Sequence, residues 1–150
     1  MPILRRSAPA LATLLLAQFA VSPAQAGQMT VRVTNAAATG EGLRGELLAQ
    51  VFDDADAFAD GKGPVARMRV TLTEAVAEIA VPALPPGRYA VRVFQDLNGN
   101  GRFDTGLFGI PLEPFGFSND ALGERGPPSF DAAAVELGVE PLAVSIRLNR

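Results

Sequence analysis

Val31 and Val33 alternate with Thr30, Arg32 and Thr34, a period of two that predicts a strand with one wet face. The alternation recurs at Ala66-Arg67-Met68-Arg69-Val70, at 76–81, at Tyr89-Ala90-Val91-Arg92-Val93, at 134–137 and at 142–148. Turn formers separate the runs: Thr39-Gly40-Glu41-Gly42, Gly61-Lys62-Gly63-Pro64 and Pro85-Pro86-Gly87. Over 43–52, Leu43, Leu47, Leu48 and Val51 fit a helical period while Leu47, Ala49 and Val51 fit a strand; we read the stretch as a strand. About seven short strands result, and the chain reverses repeatedly instead of entering long helices.

Such strands hide their apolar faces against another sheet. The predicted fold is therefore all-β, a two-layer antiparallel β-sandwich of transthyretin-like or immunoglobulin-like type. Leu84-Pro85-Pro86-Gly87-Arg88-Tyr89 resembles the turn and strand start of prealbumin-like modules, in which a buried Tyr hydrogen-bonds to the upstream backbone and fixes the corner. That likeness implies a packing role for Tyr89.

The N-terminus breaks the pattern. Arg5 and Arg6 precede an apolar run over 8–21, and Ser22-Pro23-Ala24-Gln25-Ala26 ends in an A-x-A cleavage signature, so 1–26 reads as a signal peptide and 27–150 as the domain. The apolar run is about 14 residues where a membrane span needs roughly 20, so no span is expected after cleavage. The expected location is periplasmic or secreted.

Composition narrows the chemistry. The chain has 150 residues and no Cys, His or Trp, which excludes disulfide frameworks, Cys or His zinc sites, Ser-His-Asp triads and thiol nucleophiles. Thirteen basic against 16 acidic residues, the Arg beyond Arg5 and Arg6 scattered singly, leave no electrostatic footprint for nucleic acid.

One stretch carries candidate ion chemistry. Asp96-Leu97-Asn98-Gly99-Asn100-Gly101-Arg102-Phe103-Asp104 has the D-x-N-x-N-G-x-x-D order of the first part of a Ca²⁺ loop. Asp96, Asn98 and Asn100 supply side-chain oxygens, Gly101 permits the sharp turn, Arg102 offers its carbonyl and Asp104 a second carboxylate. The position that holds a bidentate Glu in an EF-hand is Leu107, so the expected affinity is weak, roughly 10⁻⁴ to 10⁻³ M, unless Glu113 or Asp120 folds back. The alternative is two αL-permissive turns, Asn98-Gly99 and Asn100-Gly101, with Asp96 and Asp104 bonding their own backbone.

Carboxylate hydrolysis is the enzymatic alternative. Phe103-Asp104-Thr105-Gly106 matches the hydrophobic-D-T-G of aspartic proteases, but N-G-N-G precedes it and Leu107 follows. Asp53, Asp54, Asp56 and Asp60 can be pressed into a glycosidase-type pair, yet beside Ala55, Ala57 and Phe58 they read as a solvated turn or a single Asp-capped helical turn.

From Thr105 to Phe130 the alternation stops, and Phe103, Phe108, Phe115, Phe117 and Phe130 lie in this stretch or at its edges. A Gly/Pro/Phe-rich loop of that kind either packs on the sandwich or presents an aromatic surface, with Phe108, Phe115 and Phe117 the candidate contacts. The partner would be an envelope protein, a glycan or a small molecule.

Gly87-Arg88-Tyr89, the run from Val93 to Gly101, Phe108-Gly109-Ile110-Pro111, Gly116-Phe117-Ser118-Asn119 and Gly126-Pro127-Pro128-Ser129-Phe130 together resemble the small exported bacterial proteins called domain of unknown function 2141. The resemblance implies an exported β-sandwich of unassigned activity, with no catalytic residue to carry over. The D-x-N-x-N-G segment alone also looks like metal loops of B-type repeats in bacterial adhesins, from which Leu107-Phe108 departs. The reading is a non-enzymatic binding or envelope-structural module with a weak Ca²⁺ loop.

Overall fold

The alternating runs become strands. A computed structural model describes residues 26–36, 38–39, 42–43 and 45–149; the predicted signal peptide, apart from Ala26, lies outside them. In chain order the elements are β1 (Gly27–Thr34), β2 (Ala38–Thr39), β3 (Gly42–Leu43), β4 (Glu46–Phe52), α1 (Ala55–Asp60), β5 (Ala66–Thr71), β6 (Ala77–Leu84), β7 (Gly87–Asp96), β8 (Phe115–Phe117), α2 (Phe130–Ala133), β9 (Ala134–Leu137) and β10 (Leu142–Arg147). The ambiguous stretch over 43–52 is strand β4 from Glu46 onward.

Two sheets form the sandwich. One has the order β10-β1-β6; the other has β5-β4-β7-β8, with β9 also pairing with β7. β8 and β9 occupy the same edge of β7 in tandem, β8 against Arg92 to Phe94 and β9 against Gly87 to Ala90. Pairing is antiparallel except between β1 and β10, which run parallel with Val31 opposite Val144.

The period of two decides what lies between the layers. Met29, Val31 and Val33 of β1 face Leu47, Ala49 and Val51 of β4 and Tyr89, Val91 and Val93 of β7 in one buried cluster. Full burial of such a side chain contributes about 1.5–3 kcal/mol, so this cluster is the main stabilising element. The opposite face of β7 is also covered, because Phe52, Phe58, Ala90, Phe117 and Ala133 form a second cluster outside the larger sheet.

Local chemistry fixes the elements that make that second layer. Asp54 caps α1 by accepting the Ala57 N–H at 2.8 Å, and Gly61 ends it with φ +66°, a left-handed conformation that glycine adopts without a Cβ penalty. The helix of one and a half turns exists to drop Phe58 onto the sheet. At the same end of the sandwich, where Phe52 pairs with Ala90, Tyr89 Oη donates to the Pro85 carbonyl at 2.8 Å, the corner the sequence predicts.

The span from Thr105 to Phe130 is not wholly loop. It contains β8, and Gly116 in that strand lies so close to β10 that a Cβ would come within 2.6 Å of the Arg147 carbonyl. No helix among the described residues is long and apolar enough to cross a membrane.

Candidate functional site

Strand β7 positions the site. By alternation, Val91 and Val93 enter the inter-sheet core, and Ala90, Arg92, Phe94 and Asp96 face the outer layer. On β4, Gln50 stands opposite Arg92, and across β4 it stands opposite Arg67 of β5. The outer face of the larger sheet thus carries a row Arg67, Gln50, Arg92, Phe117 and beside it a row Arg69, Leu48, Phe94, Phe115.

Over these rows the Phe-rich segment builds a continuous aromatic chain. Ring centroids lie 5.5 Å apart for Phe94 and Phe103, 5.7 Å for Phe103 and Phe115, and 5.9 Å for Phe115 and Phe117. The chain continues from Phe117 to Phe58 at 5.7 Å, and from Phe58 to Phe52 and Phe130. Most contacts are edge-on, the arrangement that places a ring's positive edge against its neighbour's negative face.

The rings leave a cavity of about 610 Å³, within the size range of small-molecule sites. Its walls include Phe94, Phe103, Phe115 and Phe117 from the sheet and the adjoining loop; 105–111 and 123–127 close it, with Phe108, Ile110 and Arg125 at those segments. Arg92 is the charged group that the sheet contributes. Of the three predicted contact residues, Phe115 and Phe117 are wall residues tied into the aromatic chain. Phe108 sits at φ +61° and is 98% exposed, beside exposed Leu107, Ile110 and Leu112. The loop therefore both packs and presents a surface.

Arg92 was not singled out by sequence reasoning. Its Nε and Nη2 both donate to Gln50 Oε1, the former at 3.2 Å, and its guanidinium lies 5.5 Å from the Phe52 ring centroid. Burial first, and the charge of Arg67 second, push this guanidinium below its usual range. Among the described residues no carboxylate forms an ion pair with it. The available signal was one Arg within Tyr89-Ala90-Val91-Arg92-Val93-Phe94, a stretch of β7 whose other residues are apolar or aromatic.

The candidate ion loop begins where β7 ends. The Asp96 carboxylate, fully buried, accepts N–H bonds from Gly99 at 2.6 Å, Asn100 at 3.2 Å and Gly101 at 2.6 Å. Asn98 and Asn100 each accept the N–H two residues on, and both donate Nδ2 to Asp104 Oδ2, at 2.6 and 2.8 Å. Asp96, Asn98, Asn100 and Asp104 thus belong to one connected network, with Arg102 joined through its N–H to Asn100 Oδ1 at 2.8 Å. Gly99 and Gly101 hold φ of +76° and +73°, as two successive turns require.

Glu113 folds back onto this loop. It is 3% exposed, and its two oxygens accept the Leu97 N–H at 2.9 Å and the Asp104 N–H at 3.1 Å, clasping both ends. Asp120 goes elsewhere, accepting the Arg147 N–H at 2.8 Å. Among the described residues, no three His, Cys, Asp or Glu side chains gather as metal ligands; the candidate calcium set is two carboxylates with amide and carbonyl oxygens.

Three consecutive polar residues anchor the far side of the pocket. Ser118 Oγ, fully buried, accepts the Val91 N–H at 2.9 Å and donates to the Ala133 carbonyl. Asn119, at φ +60°, donates Nδ2 to the Ala134 carbonyl at 2.9 Å, and Asp120 holds β10 as described. β8 is thereby tied to β7, β9 and β10 at once.

No curated protein and no solved structure matches the chain. The family described as "Uncharacterized protein conserved in bacteria (DUF2141)" matches residues 31–145, a span that holds the second half of β1, all of β4 and β7, the candidate ion loop and every wall of the aromatic pocket. The chain is a β-sandwich member of that family.

Proposed function

We propose that this chain is an exported, non-enzymatic binding module of the bacterial envelope, working in the periplasm or outside the cell after loss of residues 1–26, and that its aromatic pocket receives a small apolar ligand. The observation that carries this reading is the cavity of about 610 Å³ walled by Phe94, Phe103, Phe115 and Phe117. Rings held by a rigid sheet and roofed by loops are the arrangement of a preformed site, in which apolar walls supply affinity and a few polar groups orientation. The buried carboxylates Asp96 and Glu113 both receive main-chain N–H bonds. That supports a holding role for them over acid–base work.

A weak Ca²⁺ held by Asp96, Asn98, Asn100, Asp104 and the Arg102 carbonyl belongs to the same proposal. The donor set suits a hard cation, which prefers carboxylate, amide and carbonyl oxygens. Its place next to Phe103 makes it a stiffener of the pocket wall.

The test of the pocket is titration of the mature domain with 8-anilino-1-naphthalenesulfonate and with its uncharged parent N-phenyl-1-naphthylamine. At least one dye should bind saturably, one per chain, and Phe103→Ala with Phe115→Ala should weaken it tenfold or more while strand content is kept. Absence of saturable binding by either dye, or equal binding by the double variant, overturns the proposal.

A further inference from the structure

The charge distribution around the pocket says what kind of molecule it takes. The chain carries a net charge of -3, yet the charged side chains lining the cavity are Arg92 and Arg125, with no Asp or Glu among the described lining residues. On the same sheet face Arg67 stands across Gln50 from Arg92. Two guanidinium groups therefore line one apolar cavity in an acidic protein, with a third on the same sheet face two strands from Arg92.

Arg92 is set for a partner that the described residues do not supply. A guanidinium has five N–H donors in a fixed fork, and here Nε and one Nη2 donor converge on a single acceptor, Gln50 Oε1. The Phe52 ring beneath it offsets part of the cost of half-burying a cation, but no carboxylate among the described residues neutralises it. A charge in an apolar setting is stabilised strongly by an opposite charge that reaches it with hydrogen bonds. Gly61 leaves the space that the guanidinium fills: a Cβ there would stand 2.6 Å from Arg92 Nη1.

We propose that the pocket binds an organic anion with an apolar body, its carboxylate or sulfonate head on Arg92 with Arg125 at the rim, and its body among the rings of Phe94, Phe103, Phe115 and Phe117. This rests on the pocket being a ligand site, as argued above, and adds the sign of the ligand's charge. The aromatic walls exclude water around the head and so strengthen the charge-assisted hydrogen bonds to Arg92.

The dye pair separates the two claims, because the two molecules share one apolar body and differ in the sulfonate. The wild-type domain should bind the sulfonate at least tenfold more tightly than the uncharged parent, and added salt should weaken the sulfonate alone. Arg92→Gln should bring the two affinities together by lowering that of the sulfonate far more than that of the uncharged dye, and Arg125→Gln, at an exposed position, should lower sulfonate affinity severalfold. Equal affinity of both dyes for the wild type, or a preference unchanged in both variants, overturns the anion inference and leaves the pocket reading standing. Failure of both dyes to bind overturns the two together.

Discussion

Glu113 and Asp96 hold the same loop from opposite sides: Glu113 takes the N–H groups of Leu97 and Asp104, while Asp96 takes those of Gly99, Asn100 and Gly101. Both carboxylates are buried, and these two side chains satisfy five main-chain donors, of which the Asn100 N–H also reaches Asn98 Oδ1. The loop's shape is thus specified by acidic residues 17 positions apart in sequence.

Glu113→Gln should be destabilising by about 1–3 kcal/mol, because an amide offers one oxygen and turns an NH₂ towards a second donor. Urea unfolding should show a lower midpoint with an unchanged slope. A midpoint equal to wild type contradicts the clasp.

Calcium should raise the Tm by a few degrees at millimolar concentration, and a chelator should reverse the rise. At ten times Kd the gain is about 1.4 kcal/mol. Asp96→Ala with Asp104→Ala should abolish the response while strand content persists. An unchanged wild-type Tm removes calcium from the account.

Ser118→Ala leaves the Val91 N–H and the Ala133 carbonyl without the hydroxyl that joins them. The expected cost is about 1–3 kcal/mol, since the site is fully buried. Hydrogen exchange at Val91 should accelerate; protection at the wild-type level contradicts the assignment.

Tyr89→Phe removes the hydrogen bond to the Pro85 carbonyl and should cost about 1 kcal/mol near neutral pH. Burial, and then the charge of Asp53, raise the Tyr89 pKa above the usual tyrosine value. The neutral phenol is therefore favoured in the folded state, and its contribution is complete below about pH 10, where the unfolded chain also keeps the proton. It is lost as pH rises from there through the folded value. Stability of the wild type should fall more steeply than that of Tyr89→Phe across this alkaline window, and parallel profiles would contradict the shift.

The strands were legible because one face of each is buried and the other wet, so hydrophobicity repeats every second residue, as in β1 with Met29, Val31 and Val33 inside. The Asp-capped turn at α1 and the Tyr89 corner were legible for a related reason, since their bonding partners lie within four residues. β8 was not: three residues with a ring on both sides of Gly116 are too short to show a period, and what makes them a strand is antiparallel pairing with Arg92 to Phe94 of β7, far away in sequence. The parallel pairing of β1 with β10 likewise depends on residues more than a hundred positions apart, as in Val31 and Val144. In the candidate ion loop the sequence identified the ligand-type residues and named Glu113 as a candidate to fold back and complete a metal's ligand shell. Its two oxygens accept the Leu97 and Asp104 N–H groups, a contact that follows from the return of the chain into β8. The role of Arg92 was hidden because alternation assigns it to a wet face, and only the second layer, built from α1, α2 and the Phe-rich segment, encloses that face.

The central claim is that apolar ligands enter on the outer face of the larger sheet. Amide chemical-shift mapping of residues 27–150 during titration with 8-anilino-1-naphthalenesulfonate tests it most directly. The account predicts saturable shifts confined to residues 92–94, 103–111, 115–117 and 123–127, with β1, β6 and β10 largely unmoved. Shifts centred on β1 and β6, or spread over the whole chain without saturation, would contradict it.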